Sequence, residues 1–520
     1  MADVNNDNFN YTNLPEFPES FWINSTTLPS FEKLTKDIST DVVVVGGGIS
    51  GITTAYLLCK EGLKVTLIDA GKILNSTTGH TTAKLTIQHN LIYDEFISNL
   101  GKEKAQLYYS ANNDALNFIS KMVSDNNIPC DYITEDAYIY TNSSQYEEKL
   151  ENEFKAYEKL GISSEYLNSI DIPVAIKSAV KVKNQAQFHP LKYMYFMINL
   201  LLEKQCVIFE NTKAMDIESE DSPVVVTEDG YKIKASKVVI CTHFPFYNTK
   251  GLYFARMYPE RSYVLGVRAE KDYSGGMYIT AEDPGRSIRF TPYKNEKLLL
   301  IGGEHHKTGQ GEDTLNHYTA LRQFAEDTFG IKSIVYRWSA QDLTTLDKVP
   351  YIGNLTYDMP NVYVATGYRK WGMTNATAAS MIIRDMIIDI ENPYVDLFTP
   401  SRFNADPSLK NVFVQNADVA KHLIKGKLEA LTEEPENLQL DEGKVVSYNG
   451  RRAGAYKDKS GKIHLVDTTC THMGCELEWN SGERTWDCPC HGSRFSYKGE
   501  VIEGPALKPL ELLKIEKTEL

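Results

Sequence analysis

Two short boxes near the C-terminus carry the clearest chemistry in the chain: CTHMGC (470–475) and CPCHGS (488–493). Between them they offer Cys470, His472, Cys475, Cys488, Cys490 and His491. Thiolates and neutral imidazoles are metal ligands. A zinc ribbon pairs Cys-x-x-Cys with Cys-x-x-Cys, and a redox dithiol needs only one such pair. This pattern is neither. The other cysteines, Cys59, Cys130, Cys206 and Cys241, are scattered and read as core thiols.

A second constellation lies near the N-terminus, in DVVVVGGGISGITTAYLLCKEGLKVTLIDAG (41–71). Four valines, a glycine turn, an amphipathic stretch and a second apolar run predict strand, turn, helix, strand. Gly46, Gly48 and Gly51 fill G-x-G-x-x-G at the strand-to-helix turn, with Ile49 and Ser50 opening the helix. One glycine serves the tight turn, one the backbone approach to a pyrophosphate and one the packing of the helix. Asp69 stands where a carboxylate would accept a ribose hydroxyl. The motif by itself suits NAD or FAD.

KASKVVICTHFP and MPNVYVATGYRKWGMTNATAASMII each set a strand before a small-residue turn, and the second continues into a helix. Such returning segments suit a long FAD gripped at both ends. With TTLDKVPYIG (344–353) they resemble the D-amino-acid-oxidase and glycine-oxidase-like FAD family, especially its D-amino-acid dehydrogenase branch, over roughly residues 38–400. The resemblance implies that Gly367, Trp371, Gly372, Met373 and Thr374 surround the flavin ring, their amides facing charge near N1. Arg369, Trp371 and Thr374 are the flavin-side candidates for catalysis, with core packing the other reading of Trp371 and Met373. STTGHTTAKLT (76–86) falls where this family runs along the pyrophosphate and ring. His80, Thr81, Thr82 and Lys84 are thus expected at the cofactor, and His80 lies near the position where related dimethylglycine dehydrogenases bond FAD covalently. A covalent link, a noncovalent flavin-side histidine and a structural histidine all stay open. Two departures stand out: the family often has Glu where this chain has Asp69, and its substrate-carboxylate arginine has no clear counterpart.

Cys470-x-His472 and, beyond residues 473–487, Cys488-x-x-His491 supply two thiolates and two imidazoles. That is the ligand set of a Rieske [2Fe–2S] centre, in which two histidines replace two cysteines on one iron. The full boxes resemble the Rieske proteins of cytochrome bc complexes over roughly residues 438–520. In that family the second cysteine of each box forms a disulfide, here Cys475 with Cys490, and GPALKPL (504–510) resembles the proline loop that covers the cluster. Phe495 stands where those proteins carry a tyrosine, so the expected potential lies below the top of the family's range of roughly −150 to +300 mV. Glu476, Glu478, Glu483 and Asp487 should lower it further, or simply form a solvated face.

These residues need three kinds of scaffold. Residues 1–403 are expected to form an FAD-dependent oxidoreductase domain, Rossmann-like α/β with an interleaved α+β substrate domain. An acidic connector (404–437) precedes a small all-β Rieske domain (438–520) whose alternating segment GKVVSYNGRRAGAYKDKSGKIHLVD predicts antiparallel strands. The length of 520 residues permits this division. A net charge of −14 disfavours nucleic acid and anionic membranes as partners. With neither a signal peptide nor an apolar run long enough to span a membrane, the expectation is a cytoplasmic protein.

Other Rieske chemistries fit less well. None of the 11 histidines is followed by another five positions later, against the His-x4-His pair of a mononuclear-iron oxygenase. A second G-x-G-x-x-G for a nicotinamide cofactor is missing as well. The expectation is a flavin dehydrogenase that oxidises an amine or amino acid (glycine, a D-amino acid or an N-methylated amine). It would pass single electrons through the [2Fe–2S] cluster to an acceptor protein or quinone. A noncatalytic electron carrier or redox sensor is the alternative, separated by whether a substrate bleaches the flavin.

Overall fold

In this computed structural model the valine run forms the strand Ile38–Val45, with Val42 to Val45 all buried. A strand covered on both faces needs such an uninterrupted apolar run. It pairs in parallel with Lys232–Ile240 on one side and Val65–Ile68 on the other. The sheet extends through Val207–Phe209 at one end and through Val362–Thr366 to an antiparallel strand, Tyr351–Asn354, at the other. Helices Ile49–Lys60 and Gly372–Ile387 pack against each other over this sheet. The structure describes residues 14–219, 221–247, 250–311, 313–402, 419 and 433–514.

A second, 9-stranded sheet is woven from segments between those of the first. Its long strands Met257–Ala269, Glu296–Lys307 and Ile331–Thr345 run antiparallel, and the helix Lys102–Asn126 packs against the helix Gly372–Ile387. This is the Rossmann-like α/β unit with an interleaved α+β unit that the sequence predicts.

After a short 3-10 turn at Pro435–Asn437, the regular structure among the described residues is all β. A 3-stranded sheet, Glu442–Tyr448, Arg451–Lys457 and Ile463–Val466, lies beside a 4-stranded one, Glu478–Asn480, Thr485–Asp487, Arg494–Ser496 and Val501–Glu503. Trp486 is fully buried and packs on Trp479. Gly454 leaves room for it, since a Cβ there would meet the Trp486 ring at 2.6 Å. Most of the expected connector, 404–437, lies outside the described residues. Among the described residues, no helix is long and apolar enough to cross a membrane.

Candidate functional site

The glycine turn leads from the strand Ile38–Val45 into the helix Ile49–Lys60. Gly46 has φ +106°, and a Cβ there would lie 2.5 Å from the Cys241 carbonyl oxygen; a Cβ on Gly51 would lie 1.9 Å from the Gly46 carbonyl oxygen. Both positions therefore require glycine. Asp69 accepts the Gly47 and Gly71 N–H groups, each at 2.8 Å, and thereby ties the turn to the second strand. Burial pushes its carboxyl up, and the two amides oppose that shift. The Ile49 N–H donates to Thr78 Oγ1 at 3.1 Å, at a helix N-terminus suited to phosphate.

This turn opens onto a cavity of about 880 Å³. Gly46, Gly48, Ile49, Ser50, Asp69, His80, Thr81, Thr82 and Lys84 line it, as do Arg369, Trp371, Gly372 and Met373. Gly51 packs behind the turn. Gly367, at φ +80°, also sits behind the wall, where a Cβ would strike Thr345 at 2.4 Å. Thr374 is buried and within 3.1 Å of His89 Nε2, so its hydroxyl is engaged in the core. Trp371 both lines the cavity and stacks on His89 at 4.8 Å, which joins the two readings of that residue. His80 contacts the Ser76 carbonyl through Nδ1 at 2.9 Å.

His89 carried no sequence signal, yet it organises this wall. It is fully buried, with Tyr108 OH 2.7 Å from Nδ1 and the Arg369 guanidinium donating to its carbonyl at 3.1 Å. Burial, with Arg369 adding to it, lowers its pKa to about 3, so the ring is neutral. Lys370 and Asp342 also line the cavity and were missed. Burial lowers Lys84 to about 7 and raises Asp342 to about 7.

The two C-terminal boxes converge. Cys475 and Cys490 form a disulfide with Cα atoms 6.5 Å apart, the pairing the resemblance implies. The remaining four residues fit a [2Fe–2S] cluster. Cys470 and Cys488 are buried, their thiols within hydrogen-bond reach of each other, and the Ser493 hydroxyl reaches Cys470. The ring centroids of His472 and His491 are 5.0 Å apart. Both Nδ1 atoms are buried without a hydrogen-bond partner. Burial lowers both imidazoles to about 4, which keeps the nitrogens available to a metal. Two orphaned ring nitrogens and two thiols in reach of each other, all from the same two boxes, are the groups that mixed histidine and cysteine ligation requires.

The acidic residues between the boxes each have a partner, and Glu476 and Glu478 share the single Arg452. Asp487 is buried with Arg494 at 3.2 Å, Glu476 pairs with Arg452 at 3.3 Å, and Glu483 accepts the Tyr318 hydroxyl at 2.7 Å. Phe495 is fully buried within the apolar cluster that contains Cys470, Cys488 and Trp486. The four scattered cysteines are buried, as expected.

A dinucleotide cavity and a two-thiol, two-imidazole centre in one chain define a flavin and iron–sulfur oxidoreductase. Residues 41–386 match the family described as FAD dependent oxidoreductase, and residues 431–514 match the Rieske [2Fe-2S] domain. The chain belongs to this FAD-dependent oxidoreductase family and carries a Rieske domain; its cofactors are FAD and a [2Fe–2S] cluster. It is 50% identical over 501 residues to YhfW of Bacillus subtilis (strain 168), named as a Rieske 2Fe-2S iron-sulfur protein, covering 96% of this chain and 98% of that one. It is 23% identical to gamma-glutamylputrescine oxidoreductase of Escherichia coli (strain K12) over 69% of this chain and 85% of the other. Among solved structures, glycine oxidase from Geobacillus kaustophilus superposes with a TM-score of 0.60 at 18% identity, covering 70% of this chain and 99% of that one.

Proposed function

We propose that this protein is a cytoplasmic dehydrogenase for an amine or amino acid of the glycine, D-amino-acid or N-methylated-amine class. In this reading its electrons leave singly, through the Rieske centre, to an acceptor protein or quinone. One observation carries it: Arg494, Glu503 and Leu507 of the Rieske domain line the same cavity as the dinucleotide glycines. When bound, FAD supplies a two-electron acceptor and the cluster a one-electron carrier. Gly46, Gly48, Ile49, Ser50 and Asp69 would hold the dinucleotide. His80 to Thr82 and the segment 369–373 would border the ring, with Gly51, Gly367 and Thr374 supporting them from behind. Cys470, His472, Cys488 and His491 would ligate the cluster.

The cavity also suits a zwitterion. Lys84 and Lys370 have no carboxylate within ion-pair distance among the described residues, and Asp342 shares the cavity with them. The relatives named for glycine oxidation and gamma-glutamylputrescine support the amine class. The test is an anaerobic screen of amines and amino acids for flavin bleaching. Bleaching by one chemical group of substrates is expected, whereas no bleaching across the screen would favour the carrier role.

A further inference from the structure

The Rieske domain is seated on the FAD domain, and the contact centres on the second ligand box. Gly309 has φ +68°, and a Cβ there would lie 2.6 Å from the Pro489 nitrogen. From the other side, a Cβ on Gly492 would lie 2.5 Å from Pro259. Each domain thus contributes a glycine where the partner backbone or ring comes too close for a side chain. Gln341 Nε2 donates to the Gly492 carbonyl at 2.9 Å, and Gln310 Nε2 to the Pro489 carbonyl at 3.3 Å. Phe254 lies edge-on to both candidate ligand rings, 5.5 Å from His491 and 5.9 Å from His472.

Charge fixes the same contact. Arg261, on the strand Met257–Ala269, has a fully buried side chain. It donates to Glu503 at 2.9 Å and lies 3.8 Å from Asp487. Arg494 pairs with the same two carboxylates at 3.2 Å. Two guanidiniums and two carboxylates balance, so the network is neutral, and removing one member leaves a buried charge without its counterion. The two ligand rings are not equivalent in this setting. His491 is 3% exposed, whereas His472 is half-buried beside Met473, which is 49% exposed.

We propose that the Rieske centre receives electrons in this docked state, with His491 as the flavin-side ligand and Arg261 as the positioning residue that holds the dock. The inference rests on the reading that flavin feeds the cluster. One electron moves from reduced flavin to the oxidised cluster and no bond in the chain breaks. The second electron follows once the acceptor protein or quinone has reoxidised the cluster, and the proton carried by reduced flavin goes to solvent. His472, on the solvent side, is the edge left for that acceptor.

A laser flash with 5-deazariboflavin places an electron on the flavin of the intact holoprotein without any substrate, and loss of oxidised-cluster absorbance then times the internal step. The expected rate is independent of protein concentration. In Arg261→Met it should fall about tenfold or more, because loss of a buried interfacial charge depopulates the docked state. Flavin absorbance and the EPR signal of the dithionite-reduced cluster should persist, and amide hydrogen exchange of residues 490–493 should rise. A concentration-dependent rate in the parent protein, or an unchanged rate in the variant, would overturn the proposal. Should Arg261→Met fail to fold, Phe254→Ala and Gln341→Ala decide by the same two measurements. Failure of the amine screen with a normal flash result would refute the substrate reading and leave this one standing.

Discussion

Gly51 shows how little freedom the cofactor turn has. A methyl group there would sit 1.9 Å from the Gly46 carbonyl oxygen. Gly51→Ala must therefore displace the turn, and purified protein should retain little FAD, measured as flavin absorbance per chain. The proposed ligand histidines act independently of that turn: His491→Ala should abolish the mixed-ligation EPR signal and leave flavin absorbance intact. A signal typical of an all-cysteine cluster would contradict the assignment. Phe495 is a subtler case. Its ring is fully buried against the cluster loops, so Phe495→Tyr places a hydroxyl in an apolar, solvent-inaccessible site. If the hydroxyl reaches a cluster sulfur it favours the more negative reduced state. A differential of about 1 kcal/mol corresponds to roughly 40 mV in a one-electron couple, and an upward shift of that order is expected in a protein-film titration.

At the scale of elements, the strand Val501–Glu503 is held by charge as well as by its ladder. Burial alone would raise the Glu503 carboxyl, but Arg494 and Arg261 outweigh it and hold the group at about 2. Its ordinary value is 4.5, so the folded pKa is depressed. The stabilisation is therefore complete above the unfolded value and is lost as pH falls through the folded one. Acid titration between pH 4.5 and 2 should show the parent protein losing stability progressively. Glu503→Gln should be less stable at neutral pH and lose less across this window, followed by circular dichroism. An identical acid profile in the two proteins would show that the carboxylate is not paired in solution.

For the whole molecule, a Rieske domain appended through a connector would suggest that the two parts are separable. The contacts argue otherwise. Arg337 donates to the Gly482 carbonyl at 2.6 Å, Thr314 Oγ1 to Asn480 Oδ1 at 2.7 Å, and Lys213 to the Leu507 carbonyl. Removing residues 438–520 would strip one wall from the cavity and leave Arg261 without its buried carboxylates. The truncated chain is expected to release FAD more readily and to melt at a lower temperature than the parent. Equal flavin retention and equal melting would mean that the interface contributes nothing to the flavin domain.

The ligand boxes, the glycine turn and the fold class were legible in the sequence because each rests on local spacing. Cysteine and histidine two or three positions apart share a loop, and a valine run before glycines permits little but a buried strand and a tight turn. Cys475 with Cys490 and the FAD assignment came from resemblance to families, with the same basis in short motifs. Arg261, Phe254, Gln341 and His89 gave no such signal. Arg261 and Gln341 lie in strands of the second sheet, and their roles depend on Glu503 and Gly492, far along the chain. His89 depends likewise on Trp371 and Thr374. Which acids are solvated was also undecidable from sequence, since Glu483 meets Tyr318, and Asp487 gains Arg261 beside its own domain's Arg494, only once the domains have met. Sequence determined which groups this protein could hold; tertiary packing decided that the two cofactor sites share a wall, because only folding brings such distant residues within hydrogen-bond reach.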